Sequence, residues 1–289
     1  MSSFQPREFL HQQREWLHQR YVTGWKSQAL FEFITFGVKQ AWACLFGGLM
    51  LAILLVTFFF YPETWPLPRY DFITLAAIAI QVLLLLLKLE TLEEAKIIFV
   101  FHVVGTVMEI FKTHVGSWVY PEFCYLNILG VPIFSGFMYA SVGSFIARVW
   151  RIFDFRFDRF PPLPWQGLLA LLIYINFFSH HYTIDIRLGL FIGSAILYGP
   201  AIIWFKCDEE HRCMPLIVGL MLVAVFIWFA ENIGTFANAW TYPSQKSGWH
   251  MVSWSKLGSW YLLMLISFVL VAWVHKPLDR RTAELTSAQ

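Results

Sequence analysis

From Leu45 to Phe60 the chain carries no charged side chain, and the run from Val82 to Leu87 is equally unbroken. Inside a hydrocarbon core about 30 Å thick, backbone groups can bond only to one another, so a chain crosses it as helices or as a closed barrel. Barrel strands alternate lipid-facing with lumen-facing residues, and these runs do not alternate. Helices are therefore expected. Segments long enough to cross fall near residues 38–60, 71–87, 95–115, 125–148, 164–182, 186–205, 215–236 and 253–274. At 58% hydrophobic and 14% charged residues, the composition is far from the roughly 25% charge of soluble domains. The expected fold is an all-α membrane protein of eight transmembrane helices.

Lys and Arg in the connections set the orientation. With the N-terminus in the cytoplasm, 15 of these cations fall inside and 5 outside. Both termini are expected to be cytoplasmic, and the first helix, not a cleaved leader, is expected to be the insertion signal. A net charge of +2, spread over short loops, gives no reason to expect a nucleic-acid partner. Residues 5–36 place Phe9, Leu10, Trp16, Leu17 and Tyr21 on one side of a helical wheel with arginines among the polar positions, which suits a helix lying on the inner leaflet or packed on the inner loops.

The chain also repeats itself. Glu109, Thr113, Trp118, Tyr120, Pro121, Gly136 and Tyr139 recur 122 residues later, without a gap, as Glu231, Thr235, Trp240, Tyr242, Pro243, Gly258 and Tyr261. About two matches would be expected by chance over such a window. The expected organisation is an amphipathic segment at 1–37, a four-helix repeat at 38–150, an inner linker at 151–163, a second four-helix repeat at 164–274 and a cytoplasmic tail at 275–289. An even number of spans per unit gives both copies the same orientation, hence a parallel repeat about an axis along the membrane normal.

Each copy places a carboxylate inside an apolar segment, which is costly in lipid and points to function. Thr113 and Thr235 lie one turn beyond Glu109 and Glu231 on the same helix face, where a hydroxyl can bond the acid. A protonated carboxylic acid in an apolar pocket is a competent proton donor. The competing reading is a duplicated polar clamp between helices. Trp118, Tyr120, Trp240 and Tyr242 suit the outer aromatic belt taken singly. As a constellation with Gly136, Gly258, Tyr139 and Tyr261 on the returning helices, they suit a substrate site. Lys112 lies within one turn of Glu109, whereas Gly234 holds the matching place beside Glu231. An adjacent cation would keep Glu109 ionised and leave Glu231 as the acid. His102, two turns before Glu109, reads as a bundle histidine that could also relay a proton.

His114, His180, His181 and His250 cluster on the outer side with Glu63, Asp71, Glu122 and Asp185, but their spacing fits no zinc pattern, and no metal or cofactor is expected. Cys207 to Cys213, with His211 between them, reads as a solvated inner turn rather than a metal loop. Cys44, Cys124, Cys207 and Cys213 form no disulfide framework. Phosphate-loop, nucleophile-elbow and zinc-protease motifs do not occur.

The run Glu109-Ile-Phe-Lys-Thr113-His-Val-Gly116-Ser-Trp118-Val-Tyr120, with Gly130-Val-Pro-Ile133 opening the next helix, resembles over most of the chain the uncharacterised bacterial integral-membrane family typified by YoaT. More distantly, over the acid-bearing segment and the following helix, it is similar to membrane carotenoid hydratases and small lycopene cyclases. The first resemblance implies a multi-pass protein of the bacterial inner membrane. The second implies non-redox isoprenoid chemistry in which Glu109 donates a proton to a double bond, with Thr113, Gly116 and the Gly-Val-Pro start framing it. A Pro-Phe-Gly stretch expected before the tyrosines is replaced here by Gly-Ser-Trp. The expected function is acid-catalysed modification of a lipid or isoprenoid; a small proton-coupled transporter and a structural or assembly factor are the alternatives.

Overall fold

The computed structural model describes His18, residues 20–275 and Leu278–Asp279. Among them run nine α-helices: α1 (Trp25–Ala43), α2 (Leu45–Phe60), α3 (Arg69–Leu86), α4 (Leu92–His114), α5 (Phe134–Ile152), α6 (Leu163–Ser179), α7 (Arg187–Tyr198), α8 (Leu216–Phe236) and α9 (Trp254–His275). Helices α3, α8 and α9 are long and apolar enough to cross a membrane, and α1 with α2 supplies a fourth crossing if the bent pair is one span. The protein is thus mostly helical, with three or four helices that meet the length and composition of a span. Helices α4 and α5 do not meet that composition; they carry Glu109 with Lys112 and Arg148 with Arg151.

The expected spans differ from these helices at three places. The segment at 38–60 is broken at Cys44, where α1 and α2 meet at 68°. Arg148, fully buried, donates from Nη1 to the Trp42 carbonyl at 3.2 Å, and a side chain reaching into the helical ladder is a recognised cause of a kink. The segment at 186–205 is a helix of only 12 residues, about 18 Å at 1.5 Å per residue, too short for the hydrocarbon core; the chain then passes Gly199-Pro200 into a strand. The segment at 125–148 begins as a hairpin of β1 (Asn127–Ile128) and β2 (Val131–Pro132), and α5 starts only at Phe134. Leu129 and Gly130 both have positive φ, as a tight hairpin turn of matching twist requires.

The all-α expectation also misses a sheet. Strands β3 (Arg156–Asp158), β4 (Ile202–Lys206), β5 (His211–Pro215) and β6 (Leu278–Asp279) form one sheet in the order β5-β4-β3-β6. The inner linker expected at 151–163 therefore contributes strand β3 to this sheet, with Phe157 fully buried, and Cys207 lies in the turn between β4 and β5. The four cysteines are free. Lys39 on α1 donates to the Lys206 carbonyl at 2.8 Å, and Arg212 pairs with Glu32 at 2.7 Å, so α1 is fastened to this sheet. The part of the expected amphipathic segment at residues 1–17, and the tail beyond Asp279, lie outside the described residues.

A second polar knot joins α3, the turn before α4, and α5. Arg148 donates to Glu90 at 2.7 Å, Ser144 donates to the same oxygen at 3.0 Å, and Gln81 bonds the other oxygen. Both ion-pair partners have no exposed side-chain surface. Removing either one leaves a buried charge without its partner, a loss of about 3–5 kcal/mol. At the opposite end Asp71, at the start of α3, accepts the backbone N–H groups of Tyr125 and Leu126 at 2.9 and 2.7 Å. Arg69 pairs with Glu122 and donates to the Ala237 carbonyl at 2.9 Å. These bonds hold the loops that carry the candidate site.

Candidate functional site

Helix α4 begins with a capping box. Thr91 accepts the Glu94 N–H, and Glu94 accepts the Thr91 N–H at 2.8 Å, which satisfies two of the donors a helix start leaves free. Its other end is closed by paired reverse bonds, Ser117 N–H to the Lys112 carbonyl and Gly116 N–H to the Thr113 carbonyl, with Gly116 at φ +73°. Helix α8 ends in the same way. Ala239 bonds the Gly234 carbonyl and Asn238 the Thr235 carbonyl, with Asn238 at φ +55°. Glycine and asparagine are the residues that tolerate the left-handed position of this cap. The two caps turn the two Trp-x-Tyr-Pro loops back over the acids that precede them.

Above those acids the loops bond to each other. Val119 N–H donates to the Thr241 carbonyl at 3.0 Å, and Thr241 N–H to the Val119 carbonyl at 2.9 Å, in an antiparallel bridge. Val119 and Thr241 are equated by the offset of 122, so equivalent residues of the two segments are reciprocal partners. The rings of Trp118 and Tyr242 meet edge to face at 5.9 Å across the same junction.

Glu109 is 5% exposed and accepts three donors: Trp118 Nε1 at 2.7 Å, Tyr120 OH at 2.5 Å and Tyr139 OH at 2.8 Å. Glu231, 3% exposed, accepts the Tyr242 hydroxyl and the Trp260 indole N–H. The tyrosines at 120 and 242 therefore play the same part, but the other donors do not correspond. Trp240 lies over Gly234, where an added Cβ would come within 2.4 Å of the indole ring. Tyr261 turns away to donate to Ser194 at 3.1 Å. Trp260 takes its place from one position earlier on the returning helix, about 100° round. No repeat match reveals Trp260, because position 138 in the first segment is Met.

Both threonines fail the expected role. The buried Thr113 hydroxyl has no hydrogen-bond partner, and Thr235 bonds the Asn232 carbonyl and the Trp249 indole instead of Glu231. Gly136 does admit a neighbouring helix: an added Cβ would lie 2.5 Å from His102 Nδ1 and from Thr106 Oγ1. Gly258 faces Phe191 in the same sense, at 2.8 Å. His102 packs on Phe137 with ring centroids 4.4 Å apart.

Lys112 makes no ion pair with Glu109. Its ammonium sits 2.8 Å from His181 Nε2 and 4.1 Å from the centre of the Phe177 ring. Lys112 is therefore not the adjacent cation that its spacing from Glu109 suggests. The cation at the junction is Lys256, 4.3 Å from the Tyr242 ring centre and 5.3 Å from that of Trp118. Its only sequence signal is a Lys near the start of an apolar run.

These groups border a cavity of about 520 Å³, within the range of small-molecule sites. Glu231, Tyr242, Trp118, Tyr139 and both lysines line it, and so do His180, His181, Arg187 and His250. Glu231 is the one acidic side chain in its described wall; Glu109 does not reach it. His180 and His181 stack with centroids 4.1 Å apart. Burial first, and then the positive charge of Lys112, hold both imidazoles below the usual histidine range. Of the other outer-side acids, Asp71 and Glu122 serve the loop contacts already described, and Asp185 is taken up by Arg187 at 2.5 Å. Among the described residues no three His, Cys, Asp or Glu side chains come together as a metal-ligand group.

A mostly helical membrane chain with two aromatic-clamped acids under a shared loop bridge defines the class of protein. The chain belongs to the family described as "Protein of unknown function (DUF817)", whose model matches residues 32–268. It is 40% identical to the uncharacterized protein YoaT of Bacillus subtilis (strain 168) over 248 residues, covering 85% of this chain and 92% of that one. No solved structure matches it. Neither description mentions carotenoid chemistry.

Proposed function

We propose that this protein is a multi-pass enzyme of the bacterial inner membrane that transfers a proton between Glu231 and a lipid or isoprenoid held in the 520 Å³ cavity. The observation that supports this reading is that Glu231 alone of the two acids stands in the cavity wall. Held by one tyrosine and one indole, Glu231 has lone-pair positions left for a ligand, whereas Glu109 is closed in by three donors. In the protonated form, Glu231 would give its proton to a substrate double bond, whose electron pair forms the new C–H bond. The resulting cation is captured by water or by a second double bond, with loss of a proton back to the carboxylate. Glu109 is a clamp that fixes the loop bridge. The arrangement proposed for the membrane is two parallel units with eight crossings in all and both termini in the cytoplasm.

The test compares lipid extracts from strains that lack the protein, contain it, or contain Glu231→Gln. The amide keeps the shape but cannot donate a catalytic proton. The Gln strain should match the deletion while the protein stays folded and inserted; a wild-type lipid profile would sink the reading. A second reading, a proton-coupled carrier of an anionic solute, is favoured by the lysines that share the cavity with Glu231. It predicts solute-dependent proton uptake into proteoliposomes and no change in the lipids. Reporters fused after Thr64, Ser117 and Pro243 should lie outside, and those after Asp158 and at the C-terminus inside.

A further inference from the structure

We propose that the cavity recognises a phosphate-type anion, so that its ligand carries a phosphate or diphosphate at the Lys112 end; this rests on reading the cavity as the substrate site. Lys112 is 5% exposed, and no described carboxylate lies within ion-pair distance of it. Its ammonium donates toward His181 Nε2, which must then be an unprotonated acceptor and brings no negative charge. A buried ammonium without a counter-ion is costly. Lys256 enters the same cavity held by ring faces instead of an acid. Arg187 adds a guanidinium whose charge is matched by Asp185, and the acid whose charge reaches Lys256 most is Glu231; with Glu231 protonated, as the proposed reaction requires, the two lysines carry the unmatched charge.

The rest of the wall fits the same ligand. Serines from both loops and from α9 line the polar part, while Ile173, Phe177, Leu262 and Leu263 form an apolar part. A wall that combines two cations and hydroxyls with aliphatic and aromatic groups suits a phosphate attached to a hydrocarbon chain. Lysines act on phosphate as point charges, and such charge-assisted bonds are roughly twice as strong as neutral ones. Bound phosphate would also offset the positive field that Lys112 and Lys256 exert where a substrate cation forms beside Glu231.

The same chemistry can come from a lipid headgroup or from a soluble phosphate ester, and the experiment separates them. Full-length protein in detergent is titrated with inorganic diphosphate by calorimetry. The same protein in nanodiscs of phosphatidylglycerol or of phosphatidylcholine is analysed by native mass spectrometry for retained lipid. Lys112→Met should weaken diphosphate or phosphatidylglycerol binding about tenfold, the equivalent of about 1.4 kcal/mol. Lys112→Arg should stay close to wild type. Dependence on Lys112 in nanodiscs alone identifies a headgroup, and in the diphosphate titration alone a soluble ester; either supports the proposal. Should Lys112→Met fail to fold, Lys256→Gln serves in its place. Folded wild-type protein that binds neither ligand, or variants that bind as well as wild type, overturns it. Glu231→Gln should retain anion binding. Loss of the lipid phenotype in that variant without any phosphate binding defeats this inference alone, whereas phosphate binding with an unchanged lipid profile defeats the proposed reaction alone.

Discussion

The Glu109 and Glu231 sites begin from the same sequence pattern and end in different environments. Both acids lie seven residues before a left-handed cap, and both receive a tyrosine from the loop that the cap turns back. At Glu109 the second and third donors come from Trp118 and Tyr139, and the acid is closed away from the cavity. At Glu231 the Trp240 ring occupies the space above Gly234 and Tyr261 points to Ser194, which leaves Trp260 to complete the site beside the cavity. The backbone bridge kept its symmetry while the side chains diverged, so one copy became a clamp and the other a wall of the site.

The largest effect that would break this comparison comes from Glu109→Ala. Three buried donors lose their acceptor, and at about 1–3 kcal/mol for each unsatisfied group the protein should lose several kcal/mol in denaturant unfolding or fail to insert stably. Glu231→Ala orphans two donors beside a cavity that water can enter, so its cost should be smaller. Equal losses for the two variants would remove the distinction between clamp and site. Next in size is Gly234→Leu, which drives a side chain into the Trp240 ring. Overpacking of this kind costs about 1–3 kcal/mol, and thermal unfolding measures it; an unchanged transition would mean that Trp240 swings away freely.

Smaller effects sharpen the contrast. Tyr139→Phe should destabilise by roughly 1.5–3 kcal/mol, because its hydroxyl donates to a carboxylate, whereas Tyr261→Phe removes a neutral bond worth about 1 kcal/mol. If the second loss exceeds the first, the side-chain assignments above are reversed. Acidification gives a further check. His180 and His181 titrate below the ordinary value of about 6.5, facing Lys112, Arg187 and, for His181, Lys256. In the window between that value and their lowered folded values the unfolded chain binds more protons than the native state. Their contribution is thus present above pH 6.5 and lost as pH falls through the window. Unfolding measured across that range should show a slope that the double change His180→Gln with His181→Gln flattens. Smallest of all is Thr113→Val, which removes a buried hydroxyl that has no partner; it should be neutral to stabilising in the same assay, whereas Thr235→Val should cost about 1 kcal/mol through its bond from Trp249.

Much of the site was legible in the chain because its cues are local. A carboxylate in an apolar helix, a turn residue seven positions on and a tyrosine four positions after that lie within a dozen residues, and both Glu–Tyr pairs follow that spacing. The two threonines do not bond their acids because i, i+4 spacing places a hydroxyl on the right face without fixing its rotamer. Trp260 was missed because it reaches its acid from another helix, shifted by one residue from the repeat. Lys112 was assigned by sequence distance to Glu109, yet its long side chain found His181 and the Phe177 face on α6. The sheet is hard to read for a similar reason: β3 and β6 are only three and two residues long and pair with partners far away in the chain, while the β4–β5 hairpin lies between two apolar runs that read as spans.

The apolar runs and the repeated acid-to-tyrosine spacing are properties of the sequence by itself, because helix formation in lipid and a reversing cap depend on neighbours a few residues apart. Which acid faces the cavity, which lysine stands over the junction, where α1 and α2 bend and whether α7 continues were decided by the tertiary structure. Each of those outcomes depends on contacts between segments tens to more than a hundred residues apart, such as Arg148 with Trp42 and Val119 with Thr241. Such contacts leave no periodicity in the chain, and the energy that selects them belongs to the packed assembly.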